Sequence, residues 1–155
     1  MEIRRAEKGD IEGILTLLVQ VNMVHHLGRP DLFKGPTTKY SRQELEELIT
    51  DDRRPVFVCV SEGKVLGHAF CVLQEQKDSR LLEDCRTLYI DDICVDEDSR
   101  RQHVGEDLYN AVLDYAKKNK FYNITLNVWT CNPGAMKFYE KMGLVPQKIC
   151  MEKIL

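Results

Sequence analysis

Residues Leu88–Leu108 read LYIDDICVDEDSRRQHVGEDL. The opening run, Leu88–Val95, alternates well enough for a strand that sets Ile93 and Val95 on one face. Beyond the turn, Val104, Leu108, Ala111, Val112, Tyr115 and Ala116 recur at helical spacing up to Lys117-Lys118-Asn119-Lys120. The local unit is strand, basic turn, helix. The first N–H groups of a helix lack intrahelical acceptors and the macrodipole adds partial positive charge, so an anion docked there finds donors and field together. Arg100 and Arg101 add full charges, and Gly105 lets a phosphate approach the backbone without a Cβ in the way. A solvated helix start has the same look, so a second motif has to decide.

Working outward, the chain of 155 residues is long enough for one domain, 1–155, and no internal repeat or linker divides it. Met1–Ala6 reads as a strand. Asp10 is placed to cap a helix whose Ile11, Ile14, Leu15, Leu18 and Val21 form one apolar face, ending at His25-His26-Leu27-Gly28-Arg29-Pro30. After a loop rich in Gly, Pro and Thr, Ser41-Arg42-Gln43-Glu44 is a capping box. Val56–Val60 and Val65–Leu73 form a hairpin across Ser61-Glu62-Gly63-Lys64, and Gln74–Cys85 is a charged excursion in which Leu81-Leu82 could pack locally. Asn123–Trp129 alternates as a strand, Asn132-Pro133 opens a helix and Gly143 stops it; Leu144-Val145-Pro146 and Ile149–Ile154 read as a last hairpin. The order of elements describes a mixed α/β domain, with helices flanking a mostly antiparallel central sheet.

The bulk properties narrow the partners. Net charge is −3 with the basic residues scattered, so no nucleic-acid footprint is expected. No apolar run approaches the length of a membrane span and nothing resembles a signal peptide. Six cysteines without a CxxC spacing fit reduced thiols in a cytoplasmic protein, and no metal ion is expected. Asp96-Glu97-Asp98 reads as a solvated turn rather than a calcium loop.

The second motif is Asn132-x-x-Ala135-x-x-Phe138-Tyr139-x-x-x-Gly143-Leu144, about thirty residues beyond the basic turn. Together with Arg100-Gln102-Val104-Gly105 it resembles the GNAT acetyltransferase superfamily over essentially the whole chain. In that family's turn a glycine stands where this chain has His103. Tyr89–Val95 also resembles the acidic strand of spermidine/spermine and related small-amine acetyltransferases.

The resemblance implies acetyl-CoA as co-substrate. Its pyrophosphate would lie on the N–H groups of Gln102, His103, Val104, Gly105 and Glu106 beside Arg100 and Arg101, with its pantetheine arm along Ile93, Cys94 and Val95 and Asn132 nearby. Tyr139 holds the family's general-acid position for the departing thiolate, and a backbone N–H near Cys94 or Val95 would meet the oxyanion. The acceptor amine, with a free pKa near about 10.4, must lose a proton before attack. Asp91 and Asp92 point to opposite faces of a regular strand, so at most one faces the acceptor directly and the other is expected to pair with a basic residue; Asp91 is the favoured base, directly or through water, and a structural role for both is the alternative. Side chains of Glu106 and Asp107 are expected to turn outward, and Cys94 is expected to pack in the core rather than act as a nucleophile with His68 or His103. His25 and His26 are expected at the surface.

The implied activity is N-acetyl transfer to a primary amine, on a small molecule or a peptide, by direct attack in a ternary complex. The alternative is a CoA-sensing module on the same fold, motivated by His103 and the two acids at the phosphate turn. Family members often form dimers, so a homodimer is anticipated.

Overall fold

The computed structural model describes residues 1–155. Strands β1 (Glu2–Arg5), β2 (Val56–Ser61), β3 (Lys64–Gln76), β4 (Cys85–Val95) and β5 (Asn123–Leu126) form one sheet in chain order. Pairing is antiparallel from β1 through β4, and β5 lies parallel to β4. Helices α1 (Ile11–Gly28), α2 (Arg42–Leu48), α3 (Val104–Lys118) and α4 (Pro133–Lys141) complete the fold.

Strand alternation splits the core into two layers. Val56 and Val58 on β2, with Phe70 on β3, face Ile14, Leu17 and Leu18 of α1 and Leu45 and Leu48 of α2. Phe57, Cys59, Ala69, Cys71, Leu88 and Ile90 point the other way, onto Val104, Leu108 and Val112 of α3. The β2–β3 connection is a two-residue turn in which Glu62 and Gly63 both have positive φ, 50° and 77°, the twist that suits a tight hairpin. The expected capping box forms: Glu44 N–H donates to Ser41 Oγ at 3.2 Å and Ser41 N–H to Glu44 Oε2 at 2.7 Å.

Several sequence expectations need correction. Asp10 does not cap α1 with its side chain; it accepts from both Arg4 guanidinium nitrogens, at 2.7 and 3.0 Å, and from the Glu7 N–H at 2.8 Å. The charged excursion is shorter, because β3 continues to Gln76, and Leu81 and Leu82 stay exposed rather than packing. β5 stops at Leu126, three residues short of Trp129. Asp96 is buried, not solvated, because Lys64 Nζ (2.5 Å) and Gln20 Nε2 (3.1 Å) both donate to it. The last hairpin does not form: Leu144 packs against the α3 layer, and residues 145–155 run on without strand pairing.

All six cysteines are free, and no helix is long and apolar enough to cross a membrane.

Candidate active site

The early end of β5 builds the site. Its register with β4 covers only Thr87–Ile90 against Asn123–Leu126, so from Asp91 to Val95 the β4 edge has no neighbour on that side. The opening leads to the basic turn. There the first helical N–H to find an acceptor is that of Asp107, on the His103 carbonyl at 2.9 Å. The N–H groups of Gln102 to Glu106 ahead of it are left without backbone acceptors. A groove of about 390 Å³ runs beside them, lined by Val95, Arg100, Arg101, His103, Val104, Gly105 and Glu106, and also by Ser99, Phe138 and Lys141.

His103 shows what the family's glycine does. Its φ is 62°, in the left-handed region that glycine enters at no steric cost, and Arg101 shares the conformation at 66°. Histidine is among the side chains that tolerate it best. The imidazole is mostly exposed and stands 3.5 Å from Glu106, so the turn keeps its backbone path despite the substitution. A Cβ on Gly105 would meet Phe138 and Val95 only at ordinary contact distance, 3.5 Å, so its lack of a side chain matters for space inside the groove rather than for packing beneath it. Glu106 does not turn outward as expected; it pairs with Lys141, which together with His103 holds its carboxyl below the usual range and cancels its charge beside the turn. Asp107 is exposed, as anticipated.

The other cofactor-side residues divide. Ile93 joins the α3 layer, whereas Cys94 is buried on the opposite face with its Sγ 3.6 Å from the Leu17 carbonyl. Burial pushes the Cys94 thiol up to about 12, which suits a packing residue and not a nucleophile. Gln102 reaches back to the Asp98 carbonyl, 3.4 Å, and does not line the groove. Asn132 caps α4, accepting from Ala135 N–H at 3.2 Å, ahead of Pro133 at the first helical position.

Asp91 and Asp92 do not sit on opposite faces. Phe70 opposes Asp92 and Cys71 opposes Ile90, so Asp91 is the extra residue of a β-bulge. The bulge resets the alternation: Ile90 and Ile93 both face α3, and the two carboxylates between them share the α1 side. Asp91 Oδ2 accepts from Lys39 Nζ at 2.7 Å and from Tyr40 OH at 2.9 Å. Asp92 Oδ2 lies 2.7 Å from Nε2 of His68. The His68 ring is fully buried edge-on against Phe70, centroids 4.8 Å apart, and its Nδ1 has no partner. A carboxylate only accepts, so Nε2 is the donor in this contact.

Tyr139 on α4 completes the cluster. Its hydroxyl pKa is pushed well above the phenol range, first by burial and then by the charge of Asp92 and the neighbouring Cys94. The phenol therefore stays protonated at neutral pH. His25 and His26 are not simple surface residues: His25 stacks on Phe33, centroids 5.0 Å apart, and His26 Nδ1 lies 2.6 Å from the Phe33 carbonyl, fastening the loop that delivers Lys39 and Tyr40. Burial holds the His25 pKa down; the Asp92 charge opposes that shift and Lys39 adds to it. His68, Lys39 and Tyr40 were not picked out as partners of the aspartates from sequence; the nearest signal was that one aspartate should pair with a basic residue.

Known proteins share this architecture. An uncharacterized N-acetyltransferase of Methanocaldococcus jannaschii is 27% identical over 147 residues, 95% of this chain; the chain spans 62% of that relative's length. A mutant of the BH1408 protein from Bacillus halodurans, solved by crystallography, superposes with a TM-score of 0.96 at 29% identity, covering 100% of this chain and 99% of that one. Aminoglycoside N-acetyltransferase AAC(6')-Iy, solved in complex with CoA, has the same fold at a TM-score of 0.74 and 15% identity, with 99% and 98% coverage. The model of the acetyltransferase (GNAT) family matches residues 21–144, and the chain belongs to that family.

Proposed function

We propose that this chain is an acetyl-CoA-dependent N-acetyltransferase that moves an acetyl group to a primary amine by direct attack in a ternary complex. The observation that carries the reading is the unpaired β4 edge from Asp91 to Val95, flanked by the basic turn on one side and by Tyr139 and the aspartates on the other. Unsatisfied N–H groups, two arginines and a side-chain-free Gly105 fit a pyrophosphate. An open strand edge fits the amide groups of a pantetheine arm, as one more strand would fit it.

In this reading Asp92 takes the proton of the incoming ammonium, in preference to Asp91. Asp91 is already committed to Lys39 and Tyr40, whereas Asp92 is held through one oxygen by His68 and is close enough to raise the Tyr139 pKa. A β4 backbone N–H at Cys94 or Val95 faces the developing oxyanion. Tyr139 donates to the departing sulfur.

Two of the three features behind the CoA-sensing alternative weaken: His103 adopts the left-handed backbone conformation of the turn, and Lys141 pairs with Glu106, while Asp107 stays exposed. The acceptor remains a class, a small-molecule or peptide amine. The test is thiol release from acetyl-CoA across an amine panel, with Tyr139→Phe as control. Turnover that falls on the order of 10²-fold or more with acetyl-CoA affinity retained supports the reading. Tight binding without turnover on any amine overturns it.

A further inference from the structure

We propose that the ε-amine of Lys39 is a self-acetylation site: with acetyl-CoA bound and no free amine present, the chain transfers the acetyl group to its own Lys39. The inference rests on the N-acetyltransferase reading above and names a further acceptor for the same centre. A primary amine already stands where an acceptor amine has to come. Lys39 Nζ donates to Asp91 Oδ2 at 2.7 Å, and Asp91 is the bulged residue at which the β4 edge becomes free. Asp92, the proposed base, follows by one residue, about 3.3 Å along the strand.

The fold holds the Lys39 backbone over that strand. Lys39 belongs to the segment between α1 and α2, which is fastened on both sides of it. Before it, Asn22 on α1 donates from Nδ2 to the Lys34 carbonyl at 2.9 Å and accepts from the Thr37 N–H at 3.1 Å. After it, Tyr40 donates to Asp91 at 2.9 Å, packs on Phe70 with ring centroids 5.5 Å apart and accepts from Arg54 at 3.3 Å. The lysine side chain between these anchors is 47% exposed, and an ion pair so open to water is weak, so the amine can leave Asp91 while the loop stays in place.

The reacting groups are close at hand. The charge of Asp92 acts on Lys39 and on Tyr139 alike, so amine, base and acid share one neighbourhood. Burial alone would lower the Lys39 pKa, but the Asp91 carboxylate outweighs it, so the resting amine is charged and inert until it gives up a proton. Lys141, the other paired lysine near the groove, sits on Glu106 at the pyrophosphate end.

Transfer needs no reactant beyond acetyl-CoA. The Lys39 ammonium gives one proton to the Asp92 carboxylate, and the freed lone pair attacks the thioester carbon. The N–C bond forms, the C–S bond breaks and sulfur leaves with the proton of Tyr139; the second proton lost by nitrogen restores the phenol, and the first passes from Asp92 to solvent. The products are acetylated Lys39, CoA and one proton. The amide is neutral, so the ion pair is lost and Asp91 is left to Tyr40.

The test is to incubate the full chain with acetyl-CoA alone and follow acetyl groups lysine by lysine by peptide mass spectrometry. An amine held beside the thioester reacts at an effective concentration that other lysines lack, so Lys39 should be labelled roughly 10-fold or more faster than Lys77, whose side chain is 65% exposed. The rate per molecule should not depend on protein concentration. Tyr139→Phe should slow labelling of Lys39 on the order of 10²-fold and leave that of Lys77 unchanged. Lys39→Arg, which keeps a cation on Asp91, should remove the label without moving it to another lysine. Labelling of Lys39 no faster than of Lys77, equal labelling in Tyr139→Phe, or a rate that climbs with protein concentration overturns the inference. A chain that turns over a free amine while Lys39 stays unlabelled overturns it too and leaves the N-acetyltransferase reading standing, whereas a chain that does neither overturns both.

Discussion

Gly67 lies on β3 opposite Val95, where β4 turns toward the basic loop. A Cβ built there would stand 2.8 Å from the Cys94 carbonyl oxygen, 2.9 Å from Leu108 Cδ1 and 3.1 Å from Val104 Cγ1. Leu108 and Val104 are 0% and 1% exposed, so neither side chain has room to swing away, and the carbonyl belongs to a paired strand. Gly67→Ala therefore has to push β4 and the start of α3 apart. Overpacking of this kind costs roughly 1–3 kcal/mol, against which the lost backbone freedom of the unfolded chain returns about 0.4–1 kcal/mol. The net is a destabilisation of about 1–2 kcal/mol, a fall in Tm of roughly 2–8 °C for a chain of this size. Because Val104 opens the helix that presents the unsatisfied N–H groups, the same shift should weaken acetyl-CoA binding in a calorimetric titration. Gly9→Ala is the control: a Cβ there meets nothing within 4 Å, and stability should hold or rise. A Gly67→Ala protein as stable as the parent, with unchanged coenzyme affinity, would refute the close-approach argument.

His103→Gly relieves the left-handed strain of the turn, and the gain exceeds the added freedom of the unfolded chain, so thermal unfolding should move up by about 1–3 °C with acetyl-CoA bound at least as tightly; a lower Tm would count against a strained turn. Asp92→Asn should lower kcat by about 10²-fold or more, whereas Asp91→Asn should act mainly on KM by releasing Lys39 and Tyr40; the reverse ranking would make Asp91 the base. Stability should also fall at alkaline pH. Burial pushes the Cys71 and Cys94 thiols from an ordinary value of 9.0 up to about 12, so the folded state holds protons that the unfolded state releases. Stability is complete below pH 9 and declines as pH rises toward 12, by about 2 kcal/mol per thiol at pH 10.5. Urea melts at pH 8 and 10.5 measure it, and coincident curves would mean the thiols ionise freely in the fold.

The elements legible in the sequence were those whose signal is local. Ser41 and Glu44 form a cap within four consecutive residues, Glu62-Gly63 makes a turn within its own backbone, and α3 shows its stripe at every turn. Residues 145–155 show the limit of that signal: apolar residues at strand-like spacing report that a segment could bury a face and say nothing about which edge would take it, and no strand of the sheet pairs with them. Asp96 failed in the opposite direction. An acidic triplet beside a basic turn looks solvated until Lys64 and Gln20, far away along the chain, arrive to hold it.

The two aspartates show most clearly where reading by period runs out. A regular strand requires neighbours to face apart, and from that rule one carboxylate is functional and the other is structural. One inserted residue in the β3–β4 register removes the rule, and both acids then stand on the same side as His68, Lys39 and Tyr40. Nothing in Asp91-Asp92 announces the bulge, because it is a property of two strands together. Its consequence is chemical. Two like charges on one face of a half-buried strand repel, and each is held by a donor of its own: a lysine and a phenol for Asp91, a fully buried imidazole for Asp92. In the proposed reaction that division separates their roles. A carboxylate already held by Lys39 and Tyr40 would have to give up those donors to an incoming amine, while one fixed by a buried ring would keep its position through the proposed reaction, which is what a base must do.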